Sequence, residues 1–171
     1  MLLRQALETG QFAITAEVTP PRGGDPSRTL AVAAKLRGLV HAVNVTDGSR
    51  AVMRMSSLAL CRLLLDAGLE PVLQLACRDR NRIALQADLL GAHALGIRNV
   101  LCLTGDPVGA GDQPGARAVN ELEAVRLLQL VGHLNAGLDP VEGLLPDGPT
   151  ALFPGAAADP QSTSWSGLRA R

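Results

Sequence analysis

Short β-branched apolar runs alternate along the chain with longer stretches whose apolar residues recur every three or four positions. That alternation predicts βαβ units built around a parallel sheet. Five runs are predicted strands: Phe12 to Val18, Ala42 to Val45, Glu70 to Ala76, Asn99 to Leu103 and Thr150 to Phe153. Each is short and almost continuously apolar, as a strand covered on both faces must be. Helical periodicity covers Leu2 to Leu7, Ser27 to Arg37, Met53 to Ala67, Asp79 to Leu95 and Asn120 to Leu134, and it starts again at Ser164 to Arg171. Asp25 reads as an N-cap with Pro26 at the first helical position, where no N–H is needed. Gly68 and Gly96 each stop a helix shortly before the next strand, so AGLEPV and LGIRNV look like two copies of one junction.

Two stretches break the rhythm. Pro107 to Ala116 is rich in Gly, Pro and Asp directly after a strand, which predicts a surface loop on the carboxyl side of the sheet. Asn135 to Pro149 is a long helix-to-strand connection and reads as a solvent-exposed insertion. The alternation continues past both, so residues 1–171 read as one domain. Periodicity alone suits either a doubly wound sheet or the leading part of an eight-stranded barrel. The helical pattern running into Arg171 has no stop signal, and the natural polypeptide is expected to continue. A chain of five strands alone would expose two sheet edges and is expected to self-associate or to complete its barrel with another chain.

Sixteen basic and sixteen acidic residues cancel, so no long-range field favours nucleic acid or an anionic membrane. No apolar run approaches the ~20 residues of a membrane span, and Met1 to Thr9 lacks the build of a signal peptide. A cytoplasmic location is expected. Cys61, Cys77 and Cys102 are odd in number and far apart, which argues against a disulfide framework or a metal cluster. They read as reduced, buried, small apolar residues.

In parallel α/β folds, ligands bind at the carboxyl ends of the strands. The polar residues expected there are Glu17 and Thr19, then Asn44, Thr46 and Asp47, then Gln74 with Arg78, Asp79 and Arg80, and finally Thr104, Gly105 and Asp106. Glu17 stands between Ala16 and Val18, where an enclosed carboxylate is costly unless paired, and enclosure would suit it to act as a general acid. An exposed glutamate on an edge strand, or one paired with Arg22, is the plainer reading. Asp106 could accept hydrogen bonds from an N–H-rich heterocycle, although Gly-Asp-Pro is equally turn chemistry. Thr46 and Gln74 carry weaker signals, because Thr and Gln are common at strand ends without function. Arg78, Arg80 and Arg82 could hold a phosphate at the start of a helix, with Asp79 as its N-cap. His41, His93 and His133 fall outside this set, and no Walker loop, Gly-x-Gly-x-x-Gly, His-Glu-x-x-His or Gly-x-Ser-x-Gly is present.

Five segments in order and spacing resemble the methylenetetrahydrofolate reductase family over nearly the whole chain. They are AEVTPPRG at Ala16 to Gly23, VNVTDG at Val43 to Gly48, MRMSSLAL at Met53 to Leu60, CRDRNRIALQADLLGA at Cys77 to Ala92 and GIRNVLCLTGDP at Gly96 to Pro107. The resemblance implies an α/β fold that is a partial (β/α)8 TIM barrel, comprising about the first five strands with their helices. It implies FAD as cofactor, NAD(P)H as hydride donor and a folate substrate, 5,10-methylenetetrahydrofolate, reduced to 5-methyltetrahydrofolate. It makes Glu17 the general acid and Asp106 the carboxylate that contacts the pterin and influences the flavin. Thr46, Gln74, Thr104 and Gly105 fall where flavin contacts are made, and Phe153 falls at an aromatic flavin contact after the fifth strand. Gln74 stands where some members have His, and Thr104 where some have Arg. A non-catalytic folate- or flavin-binding relative is the other reading.

Overall fold

The computed structural model describes residues 2–141 and 143–158. Helix α1 (Leu3–Glu8) precedes strand β1 (Thr15–Val18), and α2 (Ser27–Ala34) leads to β2 (Ala42–Val45). Helix α3 (Ser57–Asp66), β3 (Pro71–Ala76), α4 (Arg82–Ala94), β4 (Asn99–Leu103) and α5 (Ala124–Asn135) follow. A two-stranded hairpin, β5 (Leu138–Asp139) and β6 (Gly143–Leu144), separates α5 from β7 (Phe153–Ala156).

The main sheet runs β1-β2-β3-β4-β7, with every pairing parallel. This order never reverses, whereas a doubly wound sheet reverses at its centre. Strictly sequential order with helices on one face is barrel geometry. The helices do gather on one face: Leu60 and Leu64 of α3 pack with Val43, Val45 and Leu73, and Leu85, Leu127, Leu130 and Leu134 pack with Leu75, Val100 and Cys102. Each fully buried leucine contributes roughly 1.5–3 kcal/mol. The three cysteines are buried and free.

Side chains alternate across a strand, so the residues between these face inward. At the amino end, α1 covers that inner face, with Leu3 packed against Ala42 and Val72. Glu70 fastens it by accepting the Leu3 N–H at 3.0 Å and the Asn99 amide at 2.8 Å. Among the described residues, nothing covers the carboxyl end of the inner face.

The two matched junctions are built alike. Gly68 (φ +74°) follows α3 and Gly96 (φ +86°) follows α4, and in each the next residue's N–H returns to a carbonyl five residues earlier, Leu69 to Leu64 and Ile97 to Ala92. Only glycine adopts that left-handed turn without cost.

Several predicted boundaries move for identifiable reasons. The first strand begins at Thr15, and Phe12 is 88% exposed beside an edge that has no partner among the described residues. Residues 53–56 are not helical, because the Met53 N–H goes to Asp112 and the Met55 N–H to the Pro21 carbonyl. Asn81, not Asp79, caps α4, accepting the Ala84 N–H at 3.0 Å. The last strand is displaced to Phe153–Ala156, since Asn135 at the end of α5 holds Thr150 and both backbone groups of Leu152. Pairing therefore starts one residue later, with the Phe153 N–H on the Arg98 carbonyl at 2.7 Å. The helix predicted over Ser164 to Arg171 lies outside the described residues. Among the described residues, no helix is long and apolar enough to cross a membrane.

Candidate functional site at the carboxyl ends of the strands

Six of the seven residues singled out by sequence lie at the open carboxyl end. Glu17 and Gln74 share the inner face, and the Gln74 carboxamide donates to Glu17 Oε2 at 3.1 Å. That hydrogen bond spans β2. Continuing the pairing of Val45 with Leu73 by one residue sets Thr46 beside Gln74, beneath the bridge. Thr46 is only 2% exposed, and its Oγ1 finds no partner among the described residues. Gln74 is buried as well.

The enclosure expected around Glu17 is not present: β1 is an edge strand and Glu17 is exposed. Nor does it pair with Arg22, whose guanidinium goes to Asp112 at 2.5 Å.

Thr104, Gly105 and Asp106 form the turn leaving β4. Thr104 Oγ1 accepts the Ala124 N–H at 3.2 Å and so supports the start of α5. Gly105 has φ +97°, and a Cβ there would lie 2.8 Å from Arg78 Cβ and 3.3 Å from Ala76 Cβ. Asp106 Oδ2 accepts the Arg50 N–H at 2.6 Å.

These residues border a cleft of about 600 Å³, lined by Gln74, Thr104, Gly105 and Asp106, by Asp47 and Glu123, and by an apolar wall that includes Ala76, Leu103, Ala156 and Ala157. Asp47 and Glu123 were not singled out as site residues. Asp47 stood in the expected strand-end set beside Thr46 but was given no role there. Glu123 carried no signal, because it fell inside a predicted helix. Asp47 accepts the Ala76 N–H at 2.9 Å and an Arg80 nitrogen at 2.6 Å.

Phe153 does not join the group. It pairs with Asn99 at the start of β4, five residues before Thr104, or about 16 Å away at ~3.3 Å per residue. Its ring lies under the Arg4 guanidinium, 5.5 Å from the carbon. It lines a larger cavity of about 830 Å³ at the amino end. The expected aromatic contact at the open end is therefore corrected: the displaced strand presents Ala156 and Ala157 there instead.

The arginines read as a phosphate site are committed internally. Arg78 bonds both oxygens of Asp79, at 2.8 and 2.6 Å. Its hydrogen bonds to Asp79 hold its pKa above the ordinary value against the opposing effect of burial. Burial works against the charge on Arg80, but the carboxylates of Asp47 and Asp88 outweigh it and its pKa is also raised. Arg82 pairs with Glu121. Among the described residues, the cleft wall thus carries three carboxylates and no basic side chain. Such a wall receives N–H donors and repels phosphate.

A flat amphipathic ring fits these walls, with apolar contacts below and an amide, a hydroxyl and the Gly105 backbone at the rim. The residues present fit the ring of a flavin. A diphosphate attached to it would have to lie outside the cleft.

A family model described as Methylenetetrahydrofolate reductase matches residues 2–170. No curated protein matches the chain.

Proposed function

The chain belongs to the methylenetetrahydrofolate reductase family, and from that premise we propose that it reduces 5,10-methylenetetrahydrofolate to 5-methyltetrahydrofolate in the cytoplasm, with NAD(P)H as donor and FAD as carrier. The observation that carries this reading is the convergence of Glu17, Gln74 and Asp106 at one open end of the sheet, beside a cleft whose charged groups, among the described residues, are all negative. When bound, the flavin supplies hydride transfer in two steps, a chemistry no side chain provides. Gln74, Thr104 and Gly105 would hold its ring.

The remaining work belongs to side chains of this chain. Gln74 donates to Glu17 Oε2 and leaves Oε1 to carry the proton. Delivered to a ring nitrogen of the folate, that proton promotes opening of the five-membered ring to a reactive iminium. Asp106 has one oxygen fixed by the Arg50 N–H, and its other oxygen accepts the pterin's donors.

The reading is tested by NAD(P)H-dependent formation of 5-methyltetrahydrofolate by the chain with added FAD, beside its Asp106→Asn variant. Removing one charged acceptor should weaken folate affinity by roughly 10- to 100-fold. The absence of both turnover and folate binding in the unaltered chain would overturn it.

A second reading, in which strands from another chain complete the site, is supported by the β1 edge. Phe12 is 88% and Ile14 48% exposed there, which suits pairing and burial by an added strand. A monomer at micromolar concentration in sedimentation would count against that reading.

A further inference from the structure

Arg78 follows β3 and is 5% exposed, and it is not itself one of the residues that line the cleft. Nε and Nη2 of its guanidinium are taken by Asp79, and Nη1 is directed at backbone. Nη1 donates to the Gly48 carbonyl at 3.2 Å and, more weakly, to the Asp106 carbonyl at 3.4 Å. The two loops it joins are those that carry Asp106 and the Arg50 N–H that Asp106 accepts. Each loop makes room with glycine: a Cβ on Gly48 (φ +54°) would lie 2.7 Å from Arg78 Nη2, and one on Gly105 (φ +97°) 2.8 Å from Arg78 Cβ. The Arg78 carbonyl in turn accepts the Val119 N–H at 2.7 Å, which fastens the far limb of the loop after β4.

We infer that Arg78 is a positioning residue for the Asp106 carboxylate, holding the Gly48 and Asp106 carbonyls on one rigid fork so that Oδ2 meets the Arg50 N–H and Oδ1 faces the cleft. Asp79 sets the plane of that fork through two charged hydrogen bonds. Lysine cannot replace it, because an ammonium is a point donor without fixed paired directions. The effect on ligand rests on the reading of Asp106 as the pterin acceptor. The effect on Arg50 does not.

The experiment follows the Arg50 amide resonance and tetrahydrofolate affinity in the ¹⁵N-labelled chain, in R78K, in D79N, in D106N and in R78K/D106N. D79N alters a half-exposed carboxylate and serves if R78K does not fold. The Arg50 amide should move in R78K and D79N toward its position in D106N. R78K should weaken tetrahydrofolate binding about tenfold, the size of one charge-assisted hydrogen bond, and should add nothing once Asp106 is Asn. An unmoved Arg50 amide in the variants that fold, or equal weakening by R78K with and without Asp106, would overturn the inference. Failure of the unaltered chain to bind tetrahydrofolate would sink the proposed function, and the Arg50 amide would still decide the role of Arg78.

Discussion

Replacing Gly105 with alanine perturbs the site where the turns after β3 and β4 approach closely. The residue has φ +97°, which lies beyond the left-handed well, and placing an L side chain there costs about 1–2 kcal/mol or more. The added methyl would also sit 2.8 Å from Arg78 Cβ and 3.3 Å from Ala76 Cβ, where ordinary carbon contacts are ~3.5–4.0 Å. Overpacking of that kind costs about 1–3 kcal/mol. Neither neighbour yields readily, since Ala76 belongs to β3 and Arg78 is held by Asp79 and by two neighbouring loops. The sum is about 2–5 kcal/mol. Urea unfolding followed by far-ultraviolet circular dichroism reads it as a lowered midpoint. Gly109→Ala is the matched control: its Cβ would meet nothing within 4 Å and its φ is ordinary, so a change within ~0.5 kcal/mol is expected. A Gly105→Ala variant as stable as Gly109→Ala would refute the close approach of the β3 and β4 turns.

Gly91 lies inside α4 with open space around it, so Gly91→Ala should stabilise the chain by about 0.5–1 kcal/mol; a lower thermal midpoint would contradict that placement. Burial pushes the Cys77 thiol up to about 11 and the Cys102 thiol up to about 12, from an ordinary 9.0, and raises Cys61 further. Between pH 9 and 11 the native thiols keep protons that the unfolded chain releases, so stability, full below pH 9, should fall as pH rises through that window. The chain contains no tyrosine, so no phenol adds to the effect in that window. Equilibrium unfolding that is flat from pH 8.5 to 11 would argue against burial of the cysteines.

The periodic part of the fold was legible because burial on both faces writes itself into composition. Strands β2 and β4 coincide with their predicted ranges, and the Gly68 and Gly96 junctions were visible as paired phrases. What escaped were segments governed by distant polar partners. Nothing local in Thr150 to Leu152 announces that Asn135 will hold it, and so the last strand was placed three residues early and Phe153 was expected at the wrong end of the sheet. The loop after β4 read only as a surface loop. It is instead tied to the loops after β1, β2 and β3 through Asp112, Gly111 and Val119. Strand-end reasoning located Gln74, Thr104, Gly105 and Asp106 because parallel sheets bring such residues to one edge whatever their chemistry. It misjudged the surroundings of Glu17, since the alternation of apolar residues does not say which strand lies at an edge.

The central claim is that Glu17, oriented by Gln74, supplies the proton for folate reduction. Single-turnover formation of 5-methyltetrahydrofolate should be compared between the unaltered chain and Glu17→Gln, with folate affinity measured alongside. The amide keeps the shape and the contact with Gln74's position but carries no acidic proton, so the rate should fall by roughly 10²–10⁴-fold while affinity stays within about threefold, a difference too small to signal a lost hydrogen bond. An unchanged rate in Glu17→Gln would contradict the account.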